Sequence, residues 1–403
     1  MRHWQPQGPA TVIGHGLKTA APLAALANGT FAEILELQDG LRKGGNHPLS
    51  SMTPAALALA EALGLSGRDF LSAVVAGYEA ENRVASAMAP SHLKRGYLPN
   101  GTAGAVGAAV AASRLLRLDA QKTAEAMGIA AFLAPVSVGE NLWGGYTIKI
   151  VHGGQAARVG IEAAHWAQLG FFGCPLEGSP QRARGLCAVV SDDPDYNEMT
   201  GGLGERYTIL DIYPKPYAAC RVTHASADAT LSLIKEHDLK PEEVESVLVT
   251  TYEYAAQTVG ASYPDGTDNF LKCQFSIPYV VAACILEGAV GLPQFTADKI
   301  KSLRFMAMSK KVKVAGDAQM SQAWPASRPS LVEIRTVDGR TLAKRVDYPL
   351  GDPRNPFTPE MFDKKIEQLI SFGLGENRTP EIKRKVQELD AAPDVKGLLA
   401  SLE

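Results

Sequence analysis

The stretch GTAGAVGAAVAASRLLRL, residues 101–118, decides the fold because nearly every side chain in it is small. A helix that is apolar on every face is usually buried in the middle of a packed domain. The same stretch holds Gly101, Gly104 and Gly107 at the spacing of a dinucleotide-binding loop, but no strand pattern precedes them. We therefore expect the central helix of a bundle, in which the glycines serve close packing and do not bind a nucleotide.

The composition describes a globular protein without a strongly charged tract. The 403 residues are 46% hydrophobic and 21% charged, which supplies enough apolar surface for more than one small domain. The formal net charge of −3, without a long Lys/Arg run, argues against a nucleic-acid or membrane partner. No secretory h-region and no run of 18 apolar residues is present, so we expect a cytoplasmic protein.

The cysteines give no sign of a disulfide framework or a metal site. They are odd in number, widely spread and free of a C-x-x-C pair. We therefore expect neither disulfides nor a structural metal from Cys174, Cys187, Cys220, Cys273 and Cys284.

The apolar pattern changes character along the chain. Residues 20–170 follow the helical period, and Thr53 before Pro54 predicts the start of one helix there. Beyond residue 213, strand-like and helix-like segments alternate, and after about residue 356 the amphipathic helical pattern returns. The later segments predict strands at 244–256 and 302–308, a buried helix at 273–288, and a hairpin at 330–348 with its turn at Asp338-Gly339.

These patterns predict a mainly α fold. We expect a large all-α helical domain built from both chain ends, residues 1–212 and 351–403, and a smaller α+β domain inserted at 213–350. A cleft between the two would be the default ligand site.

Four segments carry candidate functional residues. In YTIKIVHGGQAARVG (146–160), Lys149 and His152 are three residues apart at the start of a helix, whose N-terminus adds positive potential. They suit a carboxylate, although a solvated lysine and a packed histidine explain the spacing equally well.

In YPKPYAACRVTHASADA (213–229), Lys215, Arg221 and His224 lie where a loop becomes a helix. Arg221 offers a fork for a carboxylate and His224 titrates near neutrality when unperturbed, whereas Cys220 is more simply inert packing.

The third segment is ANGTFAEILELQDGLRKGGNHP (27–48), which places Glu33, Glu36 and Asp39 at helical spacing and ends at His47 beside a glycine loop. His47 is a candidate acid or base, and the acidic residues are either solvated or functional. In HLKRGYLPNGTAG (92–104), Arg95 and Tyr97 precede a helix and either bind an anion or lie in water.

Read in order, these pieces resemble the MmgE/PrpD family, which includes 2-methylcitrate dehydratases, cis-aconitate decarboxylases and an iminodisuccinate epimerase. The resemblance implies a helical domain with an α+β lid, a homodimer, and activity without metal or organic cofactor. Relatives usually have a further helical segment ahead of ATVIG, so the resemblance also implies a divergent member with a short N-terminus. It rests on ATVIG, LANG, HP, PAALALAEALGLSG, GYE, RGYLPNGTAGAVGAA, KIVHGGQAARVG, KPYAACRVTH, QFSIPYVVAA and NPFT.

Carried over onto this sequence, the family motifs imply a role for each candidate. Proton transfer and orientation fall to His47, Lys149 and His152, with Glu36 as a substitute base. Carboxylate binding falls to Arg95, Tyr97, Lys215, Arg221 and His224.

The sequence also departs from the family pattern, with Glu33, Gln38 and Gly40 after the Asn-Gly and with Leu98 where a histidine is usual. The function expected is a cofactor-independent lyase, 2-methylcitrate dehydratase-like, that removes a proton α to a carboxylate of a di- or tricarboxylate. An epimerase or isomerase using the same site, and a non-catalytic carboxylate-binding paralogue, stay open as alternatives.

Overall fold

A computed structural model describes residues 7–179, 181–261 and 269–403. Its α-helices are, in chain order, α1 (Ala21–Ile34), α2 (Leu49–Leu63), α3 (Gly67–Met88), α4 (Ser91–Lys94), α5 (Pro99–Leu115), α6 (Ala120–Leu133), α7 (Glu140–Trp143), α8 (His152–Gln168), α9 (Leu186–Val190), α10 (Asn197–Thr200), α11 (His224–His237), α12 (Glu253–Val259), α13 (Phe270–Gln274), α14 (Ile277–Glu287), α15 (Ala297–Ile300), α16 (Leu303–Lys310), α17 (Ala318–Gln322), α18 (Pro359–Leu374), α19 (Thr379–Gln387) and α20 (Lys396–Ala400). Short 3₁₀ helices add Thr147–Val151, Thr208–Asp211, Arg221–Thr223, Pro241–Glu243, Leu292–Phe295, Glu376–Arg378 and Leu389–Ala391. None of the described helices is both long and apolar enough to cross a membrane.

The strands form one four-stranded sheet and three two-stranded sheets. They are β1 (Ala10–Val12), β2 (Leu17–Thr19), β3 (Gly40–Leu41), β4 (Gly178–Ser179), β5 (Ala183–Arg184), β6 (Ile212–Tyr213), β7 (Val244–Tyr252), β8 (Val312–Asp317), β9 (Ser330–Thr336) and β10 (Thr341–Val346). The larger sheet has the order β10-β9-β7-β8, in which β7 is parallel to β8 and antiparallel to β9.

The expectation of a mainly α fold with an all-α first region is wrong. The structure is mixed α/β, though rich in helix, and the strands β1 to β5 all lie within residues 1–212. These strands are two or three residues long, too short for a period-2 pattern to emerge from the sequence. One pairing, Gly40 with Tyr213, joins segments far apart in the chain, which local sequence patterns do not reveal.

The helix α5 is central, as its sequence predicts. All its residues except Val110 and Arg114 are buried, and it packs against α2, α3, α6 and α8. A Cβ on Gly107 would lie 2.7 Å from the Gly77 carbonyl oxygen of α3, and one on Gly160 of α8 would lie 2.3 Å from the Ala108 Cβ. The glycines therefore serve backbone-to-backbone packing.

The second half of the chain packs helices on the larger sheet. The helix α11 contacts β9, β10 and α14, and buried aliphatic residues of these elements form a common core. The hairpin prediction is confirmed, with Gly339 at φ +89° between β9 and β10. The strand predicted at 302–308 is wrong, because Phe305 and Met308 are buried at helical spacing on α16.

The start predicted for α2 at Thr53 is also wrong. The helix begins at Leu49, directly after Pro48, which already has a helical φ of −61°. Pro54 is therefore inside the helix rather than at its first position.

Residues near the C-terminus pack on the first helical region. Leu389, Val395 and Leu399 belong to the same hydrophobic cluster as α1, α2, α5 and α8. The amide of Gly67 also donates to the Ala392 carbonyl oxygen at 3.0 Å. The domain built from both chain ends, with boundaries at 212 and 351, stays a prediction.

Candidate active site

Two acids and two lysines alternate in a buried chain of ion pairs. Lys149 Nζ lies 2.8 Å from Glu33 Oε1 and 2.6 Å from Glu36 Oε2, and Lys215 Nζ lies 2.7 Å from Glu36 Oε1. Glu33 is on the last turn of α1, Glu36 follows at φ +51°, and Lys149 is on the 3₁₀ turn before α8. All four side chains are buried. We call Glu33, Lys149, Glu36 and Lys215 the ion-pair chain.

The ion-pair chain keeps Glu33, Glu36 and Lys149 charged. Burial alone would raise the pKa of Glu36, but Lys149 and Lys215 outweigh burial and lower that pKa to about 2. Burial would likewise raise the pKa of Glu33, and Lys149 and His152 hold it well below its usual range. Burial would lower the pKa of Lys149, which the two carboxylates instead raise. The two positive charges are thus largely matched by two negative charges.

His152 is oriented by the first acid of the ion-pair chain. Its Nε2 lies 2.8 Å from Glu33 Oε1, so Nε2–H donates to that carboxylate. Its Nδ1 is buried and has no hydrogen-bond partner in the described part of the chain. The arrangement resembles the carboxylate–imidazole pairs that orient histidines for proton transfer.

His47 is held as a neutral imidazole. Its Nδ1 lies 2.6 Å from the Asp39 carbonyl oxygen, an acceptor, so Nδ1 carries the proton and Nε2 keeps a free lone pair. Its backbone N–H donates to Asn100 Oδ1 at 3.0 Å. Burial and the nearby Lys215 charge lower the pKa of His47 to about 3. The ring is therefore neutral at physiological pH, and its Nε2 lone pair is free to accept a hydrogen bond or a proton from a ligand.

Two arginines stand without a carboxylate partner among the described residues. Arg221 donates to the carbonyl oxygens of Leu350 at 2.7 Å and Pro349 at 3.0 Å, and its guanidinium lies 4.3 Å above the Tyr213 ring. Burial and the neighbouring Arg328 lower the pKa of Arg221 to about 10, so it stays protonated at neutral pH. The Nε of Arg328 is buried and has no partner in the described structure.

A single cavity brings most of these groups together. Five of the residues predicted from sequence line it, namely Glu36, His47, Lys149, His152 and Arg221. Its wall also includes Glu33, Arg42, Lys43, Leu98, Asn100, Trp143, Tyr213, Cys220, Tyr254, Phe275, Trp324 and Arg328. Basic side chains from distant parts of the chain thus converge on one cavity.

Two further predicted residues lie directly behind this wall. Lys215 is fully buried and reaches Glu36 from the far side. His224 Nδ1 accepts from Arg221 Nη1 at 3.2 Å, and its Nε2–H donates to the Ala219 carbonyl oxygen at 3.0 Å. Burial and Arg221 hold the pKa of His224 well below its usual range. Both residues position groups of the wall and do not face the cavity.

The remaining predicted residues, Arg95 and Tyr97, are not brought to the cavity. Arg95 pairs with Asp192 on the surface, and Tyr97 packs against the His92 ring at 5.5 Å. Cys220 does line the cavity, and burial raises the pKa of its thiol to about 11. It is a neutral thiol at physiological pH, as expected of inert packing.

Sequence reasoning missed two parts of the site. Arg328 lies in the loop between α17 and β9, where no motif or period marks it. The aromatic residues of the wall were likewise not predicted. Glu33 was noted for its helical spacing to Glu36 and as a departure from the family pattern. Its pairing with Lys149 across the fold, which Glu36 shares, gave no local signal.

Comparison with known families then identifies the chain. The sequence model of the MmgE/PrpD N-terminal domain matches residues 1–199, and that of the C-terminal domain matches residues 217–391. The chain belongs to the MmgE/PrpD family. The matches cover both halves of the cavity wall, because Glu33 to His152 fall in the first range and Arg221 to Arg328 in the second.

Several curated proteins resemble this MmgE/PrpD protein over most of its length. A cis-aconitate decarboxylase of Aspergillus terreus (strain NIH 2624 / FGSC A1156) is 26% identical over 422 residues, covering 99% of this chain and 84% of the relative. A cis-aconitate decarboxylase-like protein of Aspergillus oryzae is 27% identical, covering 98% and 85%. The cis-aconitate decarboxylase of Homo sapiens is 26% identical, covering 94% and 79%.

Proposed function

We propose that this protein is a lyase that breaks a bond next to a carboxylate in a small di- or tricarboxylate, with loss of CO2 as the favoured reaction. The main support is the pair Arg221 and Arg328, two cations on one cavity wall that form no ion pair with a described carboxylate. The curated relatives add support, because several are named cis-aconitate decarboxylases. Dehydration of a 2-methylcitrate-like substrate is the finer alternative within the same class.

The charges around the cavity favour a substrate with two carboxylates in ionic contact. Lys149 and Lys215 are matched by Glu33 and Glu36, while Arg42 pairs with Asp352 at 2.7 Å and Lys43 with Glu198 at 2.5 Å. Among the described cations of the wall, Arg221 and Arg328 are then the ones without an ion-pair partner, although Asp228 and Asp352 act on Arg221 from further away. A guanidinium binds a carboxylate through two parallel hydrogen bonds, so each arginine suits one carboxylate group.

Decarboxylation requires fixed positive charge near the reacting carbon and a group that transfers a proton. When CO2 leaves, the carbon–carboxylate bond breaks and its electron pair stays on the substrate carbon, conjugated with a remaining carboxylate. The arginines and Lys149 stabilise this growing negative charge because they are already oriented and partly desolvated. The carbon takes up a proton from Nδ1 of His152 in its imidazolium form, while Nε2–H stays on Glu33, and the ring regains that proton from solvent after product release. The free Nε2 of His47 accepts a proton in steps that require a base.

A second candidate uses the same groups. Two imidazoles, His47 and His152, line one cavity, and an epimerase needs one group to remove a proton and another to return it. This alternative predicts exchange of a substrate hydrogen without loss of CO2 or water.

The test follows candidate substrates by NMR in deuterated water. Citrate, cis-aconitate, 2-methylcitrate and iminodisuccinate are incubated separately with the protein. We expect CO2 loss, with deuterium in the product, from at least one of them. Exchange without loss supports the epimerase, and thermal stabilisation by a carboxylate that never reacts supports a binding paralogue and contradicts the lyase.

One substitution ties the reaction to the site. His47→Asn keeps a side-chain N–H where Nδ1–H donates to Asp39 and removes the Nε2 lone pair. We expect the variant to fold and to lose at least about 100-fold in kcat, a usual effect of losing a general acid or base. The matched control, His237→Asn, changes an exposed histidine at the end of α11 and should leave the rate unaltered. An unaltered rate in His47→Asn would exclude His47 from the reaction.

A further inference from the structure

Four aromatic side chains form a continuous strip along the cavity. The Trp143 ring lies 6.2 Å from Phe275 and 5.9 Å from Tyr254, both edge-on, and Tyr254 stacks on Trp324 at 5.1 Å. All four residues line the cavity that holds Lys149 and Arg221. We call Phe275, Trp143, Tyr254 and Trp324 the aromatic strip.

The aromatic strip begins at the reactive end of the cavity. Lys149 Nζ lies 5.2 Å from the centroid of the Phe275 ring, within the range of a cation–π contact. At the other end, the exposed Lys94 ammonium lies 5.8 Å from the Trp324 ring. The strip therefore runs from the ion-pair chain to a solvent-exposed side chain.

Aliphatic side chains extend this apolar surface. Leu98, Leu142 and Val222 also line the cavity, and the first two are buried. Each belongs to or packs on the same hydrophobic cluster as Phe275 and Trp143. One part of the cavity is thus charged, and the other is aromatic and aliphatic.

A compact polycarboxylate does not match both parts. If charged groups extend from every end of a substrate, at least one of them faces the aromatic strip. Between Lys149 at one end of the strip and Lys94 at the other, such a group loses water without gaining a charged partner. An apolar group there removes hydrophobic surface from water on both sides. Binding sites for small molecules commonly combine such an apolar lining with a few charged groups that fix orientation.

We propose that the substrate carries a large apolar arm, alkyl or aryl, on the carbon skeleton that bears its carboxylates, and that this arm lies along the aromatic strip. The inference rests on the proposed function, since the arginines must hold the carboxylate end. Trp324 and Tyr254 then determine which arm is accepted, and Arg221 and Arg328 hold the carboxylates.

The test uses an unreactive series with one arm of growing size: 2-methylsuccinate, 2-butylsuccinate and 2-benzylsuccinate, with propane-1,2,3-tricarboxylate as the compact comparison. Dissociation constants are measured by isothermal titration calorimetry on the full chain. We expect affinity to rise along the series, with at least a tenfold gain from methyl to the larger arms. Whether butyl or benzyl binds more tightly distinguishes an alkyl from an aryl arm.

Substitution at the far end of the strip locates the arm. In Trp324→Ala, the increase in affinity from 2-methylsuccinate to the larger arms should fall to less than about threefold. The affinity for 2-methylsuccinate itself should stay close to that of the wild type. Trp166→Ala, which removes an indole on α8 outside the cavity, is the matched control and should keep the full gain.

The possible outcomes separate this inference from the proposed function. Two results with the wild type overturn the apolar arm even if Trp324→Ala fails to fold. One is no rise in affinity from 2-methylsuccinate to the larger arms, and the other is tightest binding of propane-1,2,3-tricarboxylate. A gain that survives in a folded Trp324→Ala also overturns it. If cis-aconitate is turned over but affinity does not rise along the succinate series, the lyase proposal holds and only the apolar arm is contradicted. Absence of binding by all of these carboxylates, together with no turnover of cis-aconitate, would contradict both proposals.

Discussion

At the scale of single residues, the ion-pair chain decides what the site can hold. Lys149 and Lys215 were predicted as groups that meet the substrate, yet Glu33 and Glu36 already pair with them. The lysines therefore contribute field and orientation, while the unneutralised arginines provide the attraction for a carboxylate. Local motifs pointed to Lys149, His152 and Arg221. They could not reveal pairing across the fold, because that depends on which helix turns meet.

Removing one member of the ion-pair chain should be costly for stability. Lys149→Met leaves Glu33 and Glu36 with too little positive charge in a buried site, and we expect a loss of about 3–5 kcal/mol in the free energy of unfolding at pH 7. This variant therefore loses stability along with activity, which makes His47→Asn the cleaner probe of catalysis. Urea unfolding monitored by circular dichroism provides the measurement.

A surface pair supplies the control for Lys149→Met. Lys344 pairs with Glu236 at 2.7 Å with both side chains well exposed, so Lys344→Met should cost no more than about 1 kcal/mol. Equal losses in the two variants would contradict the buried ion-pair chain.

The neutral state of His47 has a consequence for stability against pH. The pKa is about 3 in the folded protein against 6.5 for a free histidine, so between these values the unfolded chain binds the extra proton. The free energy of unfolding therefore falls as pH drops below 6.5. His47→Asn lacks this group, and its decline should be shallower by up to about 1.4 kcal/mol per pH unit.

Urea unfolding of the wild type and His47→Asn at pH 7, 6 and 5 measures this difference. The wild type also carries His92, whose pKa burial lowers to about 4, so only the comparison isolates His47. Parallel curves for the two proteins would show that His47 is not held neutral.

At the scale of elements, glycines set how closely α1 and α8 approach. A Cβ on Gly154 would lie 2.2 Å from the Leu26 carbonyl oxygen, and one on Gly29 would lie 2.6 Å from the Gly154 Cα. This contact brings the end of α1, with Glu33, to the start of α8, with His152. Helices with a clear period or a small-residue composition were predicted correctly. Two-residue strands and the α16 segment were not, because their form depends on partners elsewhere in the chain.

Widening the α1–α8 contact should damage both stability and function. Gly154→Ala forces the helices apart, and we expect about 1–3 kcal/mol of destabilisation together with a loss of kcat, since Glu33 and His152 separate. Thermal unfolding and substrate turnover are measured on the same samples.

Gly373→Ala is the helical control. No atom lies within 4 Å of a Cβ placed at Gly373 near the end of α18, so this change should be neutral or slightly stabilising. A Gly154→Ala variant as stable and active as Gly373→Ala would show that close approach of these helices is not required.

At the scale of the whole molecule, the cavity takes its wall from both family domains. The first supplies Glu36, His47, Lys149 and His152, and the second supplies Arg221 with the unpredicted Arg328. Convergence on one cavity was predicted from the motifs and the resemblance, whereas the aromatic strip came only from the tertiary structure. The homodimer and the domain boundaries stay predictions.

The central claim is that Arg221 and Arg328 together hold the carboxylates of a ligand in this cavity. Isothermal titration of propane-1,2,3-tricarboxylate or 2-benzylsuccinate, whichever binds the wild type more tightly, tests it most directly. We predict that Arg221→Gln and Arg328→Gln each weaken binding by at least about 30-fold, while Arg335→Gln, in an exposed ion pair on β9, leaves it unaltered. Wild-type affinity in both cavity variants, with the fold intact, would contradict the account.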